Sequence, residues 1–144
     1  MDVTQLQFNQ FVGITKCEKK EAGIFELSAD PKYLNHVDTV HASALFGLAE
    51  ASSGQFLSEH LEVNEEEVAP ILRRAEIKYR KPAEGYVYSK GVYKEEVWKT
   101  FHESLEKKGR ALLSFQIDVL NDDDVVFNNC IIALLVFYIL FLYL

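Results

Sequence analysis

The sequence predicts an α+β fold in which one long central helix is wrapped by a curved antiparallel sheet of about six strands. Three observations lead to it. From His41 to Phe56 the apolar positions recur at helical spacing among side chains that are nearly all small. From Arg74 to Arg80 charged and apolar residues alternate, the mark of a strand with two unlike faces. Near the end, "RALLSFQIDVL" and "VVFNNCIIALLVF" flank the polar turn "NDDD", as two long strands of a hairpin would.

At 144 residues the chain suits a single domain, 1–144, that can bury a core without disulfides or metal. A net charge of -7 argues against a nucleic-acid binder, because phosphate-tracking proteins carry a basic balance. The two cysteines, Cys17 and Cys130, lack metal-ligand spacing, so no metal site is expected and a reducing, cytoplasmic compartment follows. The start, "MDVTQLQFNQ", lacks the basic-then-apolar pattern of a secretory signal.

The elements follow in order. Val3, Leu6 and Phe11 fall near one face of a short leading helix. "GITKCEKK" and "GIFELSAD" read as a hairpin, with Gly23 favouring its turn and Asp30-Pro31 ending it. In the central helix, Leu45, Leu48, Ala49, Ser52 and Phe56 form the apolar stripe, and Thr39, His41 and Ser43 offer caps. Its small residues, Gly47 and Gly54 among them, let other backbone approach closely. "NEEEVAP" makes one short turn, with Asn64 as N-cap and Glu67 as the reciprocal capping residue.

In the next strand Ala75, Ile77 and Tyr79 share a half-buried face opposite Arg74, Glu76, Lys78 and Arg80, and "YVYSKGVYKE" is expected to pair with it across the turn Pro82–Gly85. Val97, Phe101 and Leu105 predict a helix that Gly109 stops. The last run, "CIIALLVFYILFLYL", has fifteen uncharged residues, whereas a spanning helix needs about 20. A long buried strand is preferred over membrane attachment; a tail anchor and an altered terminus stay open as alternatives.

"NHVDTVHASALFGLAEASSG" resembles the histidine-glycine-glycine helix segment of hot-dog fold acyl-CoA thioesterases of the phenylacetate-pathway (PaaI-like) type. "RAEIKYRKPAEG" is similar to that family's strand ending in Y-x-x-P-A-x-x-G, and "KGRALLSFQIDVLNDDDVV" to its glycine-containing hairpin. The resemblance implies a hot-dog fold and an acyl-CoA thioesterase that works as a homodimer, or a dimer of dimers, with sites at the subunit interface. Coenzyme A enters as part of the substrate, and no separate cofactor is implied. The alternative is a non-catalytic acyl-CoA or lipid-binding protein of the same fold.

Carried over residue by residue, Glu50 takes the family's acidic position, as general base or nucleophile. Asn35 falls where a polar residue orients the water or the thioester, and His41 falls on the histidine before the paired glycines. The backbone amides of Ala42 and Ser43, at the helix N-terminus, become the oxyanion donors. Ala42 and Ser43 replace the two usual glycines, Asp38 replaces another, and Leu72 stands where some relatives carry a catalytic serine.

Glu50 among small apolar residues should have a raised pKa if desolvated. It lies eight residues beyond Ala42, about 12 Å along one helix at roughly 1.5 Å per residue. One helix therefore cannot bring both groups to a single carbonyl, and a second copy related by a two-fold axis would have to supply one of them. Arg74, Lys78, Arg80 and Lys81, with Arg73, form a basic group that could hold the phosphates of coenzyme A or could simply be a solvated sheet face. His36 is a looser loop candidate, His60 and His102 read as ordinary exposed histidines, and Asp122, Asp123 and Asp124 as a solvated turn.

Overall fold

A computed structural model describes residues 2–139. The six predicted strands are present: β1 (Thr15–Lys16), β2 (Phe25–Leu27), β3 (Val68–Tyr79), β4 (Val87–Val92), β5 (Arg110–Leu120) and β6 (Val126–Tyr138). They form one antiparallel sheet in the order β1-β2-β4-β5-β6-β3. Three helices accompany them: α1 (Gln7–Val12), α2 (Ala42–His60) and α3 (Glu95–Lys108). The sheet curls around α2, and this is the hot-dog architecture.

Helix α2 is buried along the stripe read from its sequence: Leu45, Leu48, Ala49, Ser52 and Phe56 are all inaccessible. Facing it, Val87, Ser89, Leu113, Phe115, Ile117, Val119, Cys130, Ile132, Leu134 and Val136 occupy alternate positions on β4, β5 and β6. The closest approach is at Gly91 of β4, where a Cβ would meet the Phe56 ring at 2.3 Å. Ser52 and Ser89 join helix to sheet through their hydroxyls at 2.6 Å, and Ser89 also bonds both the amide and the carbonyl of Phe25. Helix α3 closes one end of this core by laying Trp98 against Phe56 and Phe115. It stops at Gly109, which adopts the left-handed conformation with φ 68°.

Several expectations need correction. The leading helix is two pieces, a 3-10 turn at Val3–Gln5 and then α1, because Leu6 between them is extended. Val3 is buried, but Leu6 and Phe11 are exposed, Phe11 by 85%. Strand β4 does not pair with β3; it lies between β2 and β5, and β3 pairs with β6 at the sheet edge. Length explains the choice. β6 offers eleven register partners to the twelve residues of β3, while β4 has only six residues. Edge placement also explains why β3 is more exposed than a half-buried strand: Leu72, Ala75 and Tyr79 face inward yet are exposed.

Asn64 does cap the turn at 65–67, accepting from the Glu66 amide, while the carboxylate that packs back here is that of Glu65, on the Ser58 hydroxyl. His60 and His102 are partly buried, stacked or tilted against Trp98. Asp124 is tied to Tyr88 and Lys20, so its turn is more than a solvated one. The terminal apolar run is a strand as far as Tyr138, inaccessible at Cys130, Ile132, Leu134 and Val136; positions 140–144 of that run lie outside the described residues. Among the described residues no helix is long and apolar enough to cross a membrane.

Candidate functional site

The loop before α2 is built by Asn35. Its Oδ1 accepts from the amides of Val37 and Thr39, and its Nδ2 donates to the Thr39 hydroxyl at 2.9 Å. Within this turn Asp38 has φ 59°, a conformation natural to glycine and tolerated by Asp, so the departure from the family's glycine preserves the turn. The chain then reaches His41, whose amide donates to the Tyr33 carbonyl at 2.7 Å, while Val40 bonds Ala83. These contacts fix the direction in which α2 starts.

His41 is the N-cap of α2. Its Nδ1 accepts from the Ser43 amide at 3.1 Å, so one of the two expected oxyanion donors is already engaged. The amide of Ala42, at the first helical position, has no partner among the described residues. Ala42 lines an open cleft of about 330 Å³ together with Asn35, Leu45, Tyr79, Arg80 and Lys81. The Tyr79 hydroxyl donates to the Ala42 carbonyl at 3.0 Å and so clips the edge strand to the start of the helix.

Four of the residues expected in the site, Asn35, Ala42, Arg80 and Lys81, thus meet in one cleft. Asn35 spends its side-chain hydrogen bonds on its own turn. Arg80 donates from Nε to Asn129. Arg74 and Lys78 stand elsewhere: both lie on the outer face of the sheet, where Arg74 is paired with Glu76 at 2.8 Å. As a single row the basic group therefore does not face the helix, and only its Arg80-Lys81 end reaches the cleft.

Glu50 is half-buried in the middle of α2, and desolvation raises the pKa of its carboxyl. It lies close enough to the inner column of β6 to act on Cys130, whose thiol is pushed up to about 11 by burial first and by Glu50 second. Gly47, one turn earlier on the same side of the helix, has open space where a Cβ would be. Glu50 and Gly47 thus mark a flank of α2 that is only partly covered. Two residues of the neighbourhood went unassigned in the sequence. Tyr79 was visible only as a strand position. Asn128, fully buried on β6, could have been found as the polar member of an inward column otherwise made of Cys130, Ile132, Leu134 and Val136.

Comparison with known proteins agrees with this architecture. A family model described as a domain of unknown function, DUF4442, matches residues 14–136. No curated protein matches the sequence. Among solved structures, a Pseudomonas aeruginosa protein of unknown function described as a "probable thioesterase" aligns with a TM-score of 0.79 at 17% identity, covering 94% of this chain and 91% of that one. A thioesterase from Haemophilus influenzae aligns at 0.66 and 13% identity, covering 96% and 87%. A Bacillus halodurans protein crystallised with coenzyme A aligns at 0.58 and 17% identity, covering 78% of this chain and 65% of that one. At such identities the likeness is one of fold: a thioesterase-like hot-dog.

Proposed function

This chain belongs to the DUF4442 family, and from that premise we propose that it is an acyl-CoA thioesterase of the phenylacetate-pathway kind, working as a homodimer. The observation that carries the proposal is Glu50, a half-buried carboxylate with a raised pKa on a partly covered flank of a helix whose first amide has no partner among the described residues. A raised pKa moves a carboxylate toward the range in which a general base works near neutral pH.

Water attacks the thioester carbonyl as Glu50 accepts its proton. The oxyanion that forms is met by the Ala42 amide and the positive end of the α2 dipole. The carbon–sulfur bond then breaks, and the thiolate leaves with the proton returned from Glu50, giving a carboxylic acid and coenzyme A. In this reading Arg80 and Lys81, which line the cleft, hold phosphate groups of the carrier. Because Glu50 and Ala42 are two turns apart on α2, each site takes one of them from each subunit. Strand β3 supports this assembly, since an unpaired twelve-residue edge with Leu72, Ala75 and Tyr79 exposed invites pairing with a second copy.

One observation favours the non-catalytic alternative: His41 occupies the Ser43 amide and leaves a single backbone donor for the oxyanion. Thiol release from short, long and aromatic acyl-CoAs, measured for wild type and Glu50→Ala together, separates the two readings. Hydrolysis lost in the variant supports the thioesterase. Hydrolysis retained moves catalysis away from Glu50, and saturable binding without turnover on any member of the panel establishes the binding protein.

A further inference from the structure

Beside the C-terminal half of α2 lies a second hollow, of about 300 Å³, that shares no lining residue with the Ala42 cleft. Its walls are aliphatic: Val3 from the leading 3-10 turn, Leu57 and Leu61 from α2, Val68 and Pro70 from β3, and Ile139 after β6. Gly54 lines it at the end nearer Glu50. A cavity of about 150 Å³ with walls of this kind takes up benzene, so the hollow has room for an aliphatic tail of roughly ten carbons.

Helical geometry joins the hollow to Glu50. Gly47, Glu50, Gly54, Ser58 and Leu61 follow one another at three- and four-residue spacing, so they form one stripe along α2, and all five are half-buried. Gly54 is about 6 Å beyond Glu50 along the helix axis. Inside a helix glycine is less stable than alanine, and neither glycine of the stripe is required by packing. A Cβ at Gly47 would meet nothing within 4 Å, and one at Gly54 would meet only Val3, at 3.7 Å, an ordinary contact. The space on either side of the carboxylate is therefore open, and on one side it leads into the apolar hollow. Charge gives the direction of entry. Arg80 and Lys81 stand by the start of the helix, whereas Glu65 and Glu66 stand at the hollow. A phosphate-bearing carrier is attracted to the first end and repelled by the second, so an uncharged tail is what the hollow can take.

We propose that this hollow is the acyl-chain subsite, and that the preferred substrate carries a straight aliphatic chain of about eight to ten carbons rather than an arylacetyl group. The inference rests on the thioester reading of Glu50. With the carbonyl at Glu50, a straight chain passes over Gly54 and lies between Leu57, Leu61 and Val68. A ring attached one carbon from the carbonyl stops near Gly54 and leaves those walls uncovered. Each methylene buried in the hollow tightens binding about threefold to fourfold, until the space is full.

Binding rather than turnover makes the test independent of catalysis. The probes are butanoyl-, hexanoyl-, octanoyl-, decanoyl- and phenylacetyl-CoA, each with a methylene between sulfur and carbonyl to prevent hydrolysis, titrated calorimetrically into the full chain. Wild type is expected to bind the octanoyl probe at least tenfold more tightly than the butanoyl and phenylacetyl probes. Gly54→Leu, which puts a good helix former in the passage, is expected to erase both ratios. Affinity that does not rise with chain length, a phenylacetyl probe that binds as tightly as octanoyl, or a length dependence that survives Gly54→Leu overturns the inference. Should the leucine variant not fold, Leu61→Trp, which fills the hollow from its far end, must erase the ratios instead. Saturable binding without preference for the longer chains would sink this inference alone, whereas failure to bind every probe would sink the thioester reading with it.

Discussion

Ala42→Pro removes one atom from the chemistry and little from the fold. Proline is well suited to the first position of a helix, where its missing N–H would have no intrahelical partner. Position 41 is compatible too: with φ -59° and ψ 136°, His41 already has the extended conformation that a residue before proline prefers. The Ala42 amide bonds no described residue, so its loss should change stability by under ~0.5 kcal/mol and Tm by less than ~2 °C. Losing an oxyanion donor, by contrast, lowers kcat by about 10²- to 10³-fold. Ala42→Val controls for bulk in the cleft because it keeps the N–H, and its effect should fall on KM. A thioesterase assay on the best acyl-CoA, with thermal melts alongside, gives both quantities. Unchanged kcat in Ala42→Pro would refute the role assigned to the helix terminus.

The same variant tests the shared site. If each site combines Ala42 of one subunit with Glu50 of the other, a purified heterodimer of Ala42→Pro with Glu50→Ala has one doubly impaired site and one intact site. It should retain about half of wild-type activity, although both parent homodimers are nearly inactive. If instead each chain carries its own complete site, both sites of the heterodimer are impaired and activity stays at the level of the parents.

Two further outcomes concern stability. Gly91→Ala would bring a Cβ to 2.3–2.6 Å from the Phe56 ring, and overpacking of this kind costs about 1–3 kcal/mol; urea denaturation should show that loss, partly relieved when Phe56→Leu is added, and strict additivity of the two changes would contradict the contact. For Glu50, burial raises the carboxyl pKa in the folded state, so the folded chain holds its proton more tightly and stability falls as pH rises from the unfolded value through the folded one. Glu50→Gln should therefore be the more stable protein at neutral pH, its advantage disappearing in acid below the unfolded carboxylate pKa; an advantage independent of pH would show that desolvation is not the cause.

How much of this was legible in the sequence depended on which residues decide each feature. The central helix was readable because the stripe Leu45 to Phe56 recurs at helical spacing among small residues that let the sheet wrap it, and the β5–β6 hairpin because a polar turn separates two long apolar runs. Pairing was harder. The turn at Pro82–Gly85 is a local signal, and local signals favoured a β3–β4 hairpin; the outcome was set by which distant strand had a length to match β3. The site divided along the same line. Helix position alone placed Ala42 and Glu50 too far apart to share one carbonyl, a conclusion that requires no coordinates. That His41 would turn Nδ1 onto the Ser43 amide depends on a rotamer that spacing does not encode, and that bond leaves the Ala42 amide as the one uncommitted donor of the expected pair. On the thioesterase reading, the backbone of this chain then offers the oxyanion one amide where the resembled paired-glycine motif would offer two.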